Sequence, residues 1–153
     1  MRQAALPCEL KGERIFLKRH TLDIAEHMFR CMDQERERLR EYLPWVDSTL
    51  LVADTINFIN MSIEQWQRSR FDYGIFRKSD SLYMGNCGVI RIAWEHDRCE
   101  IGYYILKDFE GQGYVSEAIR ILEDAVFELG LNRIEIRCTS TNALSENLSR
   151  RWS

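Results

Sequence analysis

Residues 108–118, Asp-Phe-Glu-Gly-Gln-Gly-Tyr-Val-Ser-Glu-Ala, carry the spacing with the clearest chemical meaning in the chain. Gly111 and Gly113 stand two apart, between a strand-like run at 99–106 and a strongly periodic helix at 115–129. Glycines so spaced let the backbone turn tightly and leave the first N–H groups of the helix uncovered. Those groups, with the helix dipole, favour an anion such as a pyrophosphate. Taken alone, the segment reads equally well as a plain strand-to-helix turn.

Other residue types narrow the chemistry. The cysteines are Cys8, Cys31, Cys87, Cys99 and Cys138: an odd count, widely spaced, with no Cys-x-x-Cys pair. They read as reduced thiols used for packing, which implies a cytoplasmic protein. His20, His27 and His96 show no metal-ligand spacing, so no metal is expected. Net charge is −3, so no broad basic surface argues for nucleic acid. No apolar run is long enough to span a membrane, and residues 1–10, without an apolar core behind a basic start, are not expected to act as a signal peptide. The 153 residues suit one domain with a real core.

The elements that position the turn follow from periodicity. Residues 13–18 alternate polar and apolar and read as a first strand. Thr21 can cap a helix running to about Met32, with Ile24, Met28 and Cys31 or Met32 inward. The charged run 34–42 reads as a helix with a solvated face, ended by Pro44. A helix is expected over 53–70, with Ile56, Ile59, Ile63 and Trp66 on one side. Strands are expected at 71–77, 82–94 and 99–106, joined by short turns into an antiparallel meander, with Gly85 and Gly88 as bulge points. Val115, Ala118, Ile119, Leu122, Ala125, Val126 and Leu129 form one helical stripe, and Gly130 ends it. The run 132–138 then follows a strand–helix unit, so it should lie parallel to 99–106. The fold class is α/β, a mixed sheet with one parallel strand pair and helices on both faces. A dinucleotide-binding domain is excluded by the missing third glycine and the antiparallel meander.

In this order the pieces resemble the GNAT family of N-acetyltransferases, and within it the branch that acetylates the N-termini of ribosomal proteins. The resemblance rests on Leu39-Arg-Glu-Tyr-Leu-Pro-Trp-Val46, Glu100-Ile-Gly-Tyr-Tyr104, Phe109-Glu-Gly-Gln-Gly113, Glu128-Leu-Gly-Leu-Asn-Arg133 and Asn142-x-x-Ser145, covering nearly all the chain from Glu13. Two departures stand out. Asp108 occupies a position where the family usually carries Arg or Gln. The family also continues through a helix and two strands beyond the last motif, so residues 1–153 are expected to form a single N-acetyltransferase domain that is C-terminally incomplete. Such a sheet would expose an edge strand, which raises the expectation of a homodimer or of low stability.

The resemblance implies that acetyl-CoA is the donor. Its pyrophosphate would lie on backbone N–H groups of Gly111, Gln112, Gly113, Tyr114, Val115 and Ser116, and its pantetheine along Tyr104, Ile105 and Leu106, with Asn142 as a further contact. An amine that attacks a thioester must first lose a proton. Glu100 is the candidate base; the alternative is an edge carboxylate paired with Arg91 or Arg98. Ser145 is the candidate acid for the leaving thiolate, against a helix-capping role; Tyr103 or Tyr104 is the alternative acid. Trp45, Tyr42 and Leu43 either line an acceptor groove or pack over the first helices. The implied acceptor is a protein N-terminus. The competing readings are a small-molecule amine acceptor and a non-catalytic CoA-binding or interaction protein.

Overall fold

The computed structural model describes residues 6–41, 43–66 and 68–136. Among them six strands form one sheet in the order β1 (Glu9–Lys11), β2 (Ile15–Arg19), β3 (Phe71–Arg77), β4 (Tyr83–Ala93), β5 (Arg98–Ile105) and β6 (Arg133–Ile136). All neighbours are antiparallel except β5 and β6. A parallel pair needs a crossover. Here the crossover is α4 (Tyr114–Glu128). The helices α1 (Ala25–Gln34), α2 (Arg36–Leu39) and α3 (Val52–Glu64) precede β3.

Strand alternation divides the sheet into two working faces. Ile15 and Leu17 of β2, Phe71, Tyr73 and Ile75 of β3, Cys87 and Val89 of β4, and Cys99 and Ile101 of β5 pack with Val115, Ala118, Ile119, Leu122 and Val126 of α4. The opposite face meets a second core that includes Met28, Met32, Leu39, Leu43, Val46, Ile59 and Tyr104. Helices therefore cover both faces, as the periodicity of residues 115–129 and the meander require.

Several expectations need correction. The strand expected first, at 13–18, is the second: β1 precedes it as the outer arm of a hairpin closed by Gly12 N–H on the Ile15 carbonyl at 2.8 Å. β1 is only three residues long, and its outer residues are exposed, so no alternation announces it. The helix expected over 53–70 ends at Glu64; Trp66 then packs edge-on against Phe71 and Tyr73. Its buried line is Thr55, Ile59 and Ser62, while Ile56 and Ile63 face outward. Thr21 heads a 3-10 turn rather than α1, and its hydroxyl bonds the Asp23 carboxylate instead of a backbone N–H.

The charged run at 34–42 is not a solvated helix face. Among its described residues Gln34 closes α1 and Arg36–Leu39 forms α2, whose arginines are tied inward. Arg36 donates to the carbonyls of Val46 and Thr49, both at 2.6 Å, and Arg38 donates to the Ile105 carbonyl at 3.0 Å and to Glu110 and Glu35. These bonds bind the segment after α1 to the end of β5. Of the two glycines expected at bulges, Gly85 lies at a register shift, whereas Gly88 pairs regularly with Asp72 and Gly102.

Leu122 is fully buried between α4 and the sheet. Truncating it removes apolar contacts and leaves a cavity. Leu122→Ala is therefore expected to destabilise the fold by about 2–5 kcal/mol in urea unfolding; a loss below about 1 kcal/mol would show that α4 is not seated on the sheet as described.

Candidate active site

The connection from β5 to α4 is built by two left-handed glycines. Gly111 has φ 74° and Gly113 φ 83°, values that residues with a Cβ rarely adopt. Gly113 is the N-cap of α4 and has no side chain to cap the helix. The first intrahelical bond here runs from Glu117 N–H to the Gly113 carbonyl at 3.1 Å. The N–H groups at the head of α4 are thus presented without a side-chain cap.

Arg14, from the loop before β2, braces this turn. Its Nη1 donates to the Gln112 carbonyl at 2.9 Å, its Nε to Glu117 at 2.9 Å, and its backbone N–H to Glu117 at 2.8 Å. Its guanidinium lies 4.7 Å over the Tyr114 ring. Burial opposes ionisation of Glu117, but the bonds and charge of Arg14 outweigh it and hold the carboxyl below its usual range. The turn therefore combines uncovered N–H groups and a helix dipole, which attract an anion, with Arg14, whose charge is matched by Glu117 and whose bonds fix the shape of the turn. Gln112 folds back onto the Asp108 carbonyl at 3.0 Å, so the unusual Asp108 enters the turn through its backbone. Gly111, Gln112, Gly113, Tyr114, Val115 and Ser116 are all brought together here.

The strand before the turn offers its groups selectively. Leu106 N–H donates to the Met84 carbonyl at 2.8 Å. Backbone groups alternate sides along a strand, so those of Leu106 and Tyr104 face β4 while those of Ile105 and Tyr103 face the β6 side. Among the described residues β6 pairs with β5 only from Arg98 to Ile101. Of the expected run Tyr104, Ile105 and Leu106, only Ile105 directs its backbone to that side, and its carbonyl already accepts from Arg38. Tyr103 joins it there, a position that the sequence reading assigned only as a possible acid.

On the face opposite α4 lies a cleft of about 650 Å³. Met28, Met32, Phe58 and Met61 form its walls, with Leu43 and Trp45 at one side. Trp45 is 41% exposed and tilts against Tyr104 at 5.8 Å. Tyr42 is outside the described residues. The floor is a row of cross-strand neighbours, Asp72, Gly88 and Gly102. Gly88 leaves room for the Asp72 carboxylate: a Cβ there would lie 3.1 Å from Oδ1. A Cβ on Gly102 would meet only Ile90, at 3.6 Å, so Gly102 keeps the floor open rather than the backbone close-packed.

Asp72 is buried and takes two bonds from Arg70, Nε to Oδ2 at 2.6 Å and Nη2 to Oδ1 at 2.9 Å. Burial pushes its carboxyl up, against the pull of Arg70. Glu100, paired across the sheet with Ile90, lies on the same face and accepts from Arg91 at 3.2 Å. The pairing with Arg91 is the alternative that the sequence left open for Glu100. Beside it, Tyr104 closes a buried network: its hydroxyl lies 2.9 Å from that of Tyr83, which donates to Asn86 at 2.8 Å. Burial raises both phenols. Asn142 and Ser145 lie outside the described residues.

The sequence reading missed Arg70, Asp72, Asn86 and the glycine floor. The signal was present in one place: Asp72 is a lone acid inside the apolar run Phe71-Asp72-Tyr73-Gly74-Ile75. Among the described residues no cluster of His, Cys, Asp and Glu could hold a metal, and no helix is long and apolar enough to cross a membrane. Cys8, Cys31, Cys87 and Cys99 are free thiols.

Residues 14–152 match the family model described as "Acetyltransferase (GNAT) domain", and the chain belongs to that family of acetyl-transfer enzymes. An uncharacterized N-acetyltransferase p20 of Bacillus licheniformis is 33% identical over 141 residues, 91% of this chain and 78% of the relative. Among solved structures the fold is similar to RimL, a ribosomal alpha-N-protein acetyltransferase in complex with coenzyme A, with TM-score 0.81 and 19% identity, covering 97% of this chain and 81% of that one. It is similar also to an acetyltransferase of Salmonella typhimurium that modifies the N-terminal serine of a 50S ribosomal subunit protein, with TM-score 0.80 and 20% identity, covering 94% and 82%.

His20 sits at the end of β2, beyond Phe58 from the cleft, nearly inaccessible and with no partner for Nε2 among the described residues. Burial, and then the charge of Arg70, lowers its pKa from 6.5 to about 4. The unfolded chain therefore binds a proton near pH 6.5 that the folded protein refuses until about pH 4. Stability should be unaffected by this group above pH 7 and fall by roughly 3 kcal/mol between pH 6.5 and 4. Unfolding of wild type and His20→Leu across that range checks this: the variant should lack that component of the decline, and parallel curves would refute the burial of a neutral imidazole.

Proposed function

We propose that the enzyme transfers the acetyl group of acetyl-CoA to the N-terminal α-amine of a protein, by direct attack in a ternary complex. The observation that carries the donor side is the uncapped head of α4, with two left-handed glycines and Arg14 beside it. RimL carries coenzyme A in its solved structure, and another neighbour carries acetyl-CoA, which supports the same donor here. The N–H groups from Gly111 to Ser116 hold the pyrophosphate. Ile105 and Tyr103 lie alongside the pantetheine as a strand would. An N–H on that edge polarises the thioester carbonyl as charge develops.

The acceptor enters from the cleft on the opposite face. Its ammonium loses a proton to Glu100, directly or through one water, and the neutral amine attacks the thioester carbon. A C–N bond forms and the C–S bond breaks; Ser145 passes a proton to the CoA thiolate and takes up the second proton that leaves the amide nitrogen, and Glu100 returns its own proton to solvent. Asn142 contributes to the pantetheine site. Ribosomal proteins are the acceptor class supported by the named activities of the structural neighbours.

Two outcomes follow. Gly113→Val forces a branched side chain onto a left-handed backbone and crowds Arg14, which a Cβ would already approach to 3.1 Å. Calorimetry should show acetyl-CoA affinity reduced at least tenfold in the folded variant; unchanged affinity would place the donor elsewhere. Glu100→Gln should lower turnover while leaving acetyl-CoA affinity nearly intact, and shift or remove the acidic limb of the pH–rate profile. An unaltered profile would leave Glu100 as the structural partner of Arg91.

A further inference from the structure

We infer that the Arg70–Asp72 pair lining the cleft reads the backbone of the acceptor's second residue, so that the site selects a peptide over a simple amine. This inference rests on the acetyl transfer proposed above and narrows its acceptor.

The pair is poorly explained by stability alone. Asp72 is 6% exposed, and its only hydrogen-bond partner among the described residues is Arg70. A carboxylate has about four acceptor sites, and two are filled. Arg70 uses Nε and Nη2 on Asp72, and its Nη1 makes no hydrogen bond among the described residues. Burying Asp72 costs desolvation, which the bonds from Arg70, 28% exposed at the cleft, offset only in part. Burial pushes the Asp72 carboxyl up, and the bonds and charge of Arg70 act against it. Both residues line the cleft.

What could complete the pair follows from its charge. Arg70 and Asp72 together are neutral. An acidic ligand group would face Asp72, and a basic one Arg70. A neutral group with one donor and one acceptor on the same side satisfies both. A residue in an extended chain has that arrangement, since its N–H and C=O point the same way, as in a sheet ladder. The floor suits a backbone as well. Gly88 and Gly102 are adjacent across β4 and β5: the Asp72 carboxylate fills the space over Gly88, and Gly102 leaves the space over its own backbone open to another chain.

The distances are compatible. Adjacent strands lie about 4.8 Å apart. An amine over Gly102, next to Tyr103, is therefore about one strand spacing from Gly88, over which Asp72 Oδ1 lies. Successive residues of an extended chain are about 3.3 Å apart. The N–H of residue two thus falls near Oδ1, and its carbonyl near Arg70. A small primary amine has neither group.

The test compares two acceptors, Ser-Ala-Ala amide and its analogue in which an ester oxygen replaces the N–H of residue two. Wild type should acetylate the ester with kcat/KM at least tenfold lower. In Arg70→Met/Asp72→Leu, whose apolar side chains leave no lone buried charge, the amide-to-ester ratio should fall close to one while KM for acetyl-CoA stays unchanged. Circular dichroism and thermal unfolding report whether this variant folds; if it does not, Asp72→Asn replaces it and should reduce the ratio at least threefold. Equal rates on amide and ester in wild type, or a ratio preserved in the folded variant, would overturn this inference and leave peptide acetylation standing. Acetylation of 2-phenylethylamine with none on either peptide would overturn the peptide reading and this inference together.

Discussion

The constraint on which the site depends is the parallel pairing of β5 with β6. Every other junction in the sheet is antiparallel and can be closed by a short turn. A parallel pair cannot, so the chain must leave the end of β5, cross one face as α4 and return. That crossover fixes the head of α4 beside the end of β5. It also fixes which N–H groups are left without partners. Gly111 and Gly113 bend the chain into the helix, and Arg14 ties the bend to β2 through Gln112 and Glu117. The anion-attracting turn is thus held from both sides of the sheet's centre, by covalent connection to β5 and by hydrogen bonds to the hairpin.

The second organising fact is strand alternation. One face of the sheet is spent on α4 and is almost entirely apolar. The other carries Asp72, Asn86, Gly88, Glu100, Gly102 and Tyr104 at alternate positions, beneath α1 and α3. Under the proposed function, donor and acceptor approach β5 from different directions without competing for the same surface. The short helix α2 joins the two regions: Arg38 bonds the Ile105 carbonyl at the end of β5, and Arg36 fastens the turn that carries Trp45 at the side of the cleft. Charges that look like a solvated face in the sequence are the bolts of this assembly.

What was legible in the sequence was what local periodicity encodes. β3 has the bounds that its residues announce, and α4 begins within one residue of the expected start, because its apolar stripe and Gly130 mark both. The parallel return of β6 followed from order alone. β1 was not legible, since three residues with exposed ends carry no period. The end of α3 at Glu64 was missed because Ile63 and Trp66 continue a helical spacing that packing does not use. The glycine turn was legible because its glycines act through the backbone over a few residues. The cleft was not, because its features are relations between strands. Gly88 and Gly102 become a floor only when β4 and β5 are paired, and a strand glycine read alone means bulge as readily as open space. Asp72 could be seen as unusual, but its partnership with Arg70 and its aim into a cleft are tertiary facts.

The account turns on one claim, that the N–H groups at the head of α4 hold the pyrophosphate of acetyl-CoA. The most direct measurement follows the backbone amide resonances of the isotope-labelled protein during titration with coenzyme A and, separately, with inorganic pyrophosphate. The account predicts that the amides of residues 111–116 shift most and saturate with the same affinity as the ligand, and that pyrophosphate alone moves the same group. Shifts concentrated on α1, α3 and the cleft, with residues 111–116 unmoved, would contradict it.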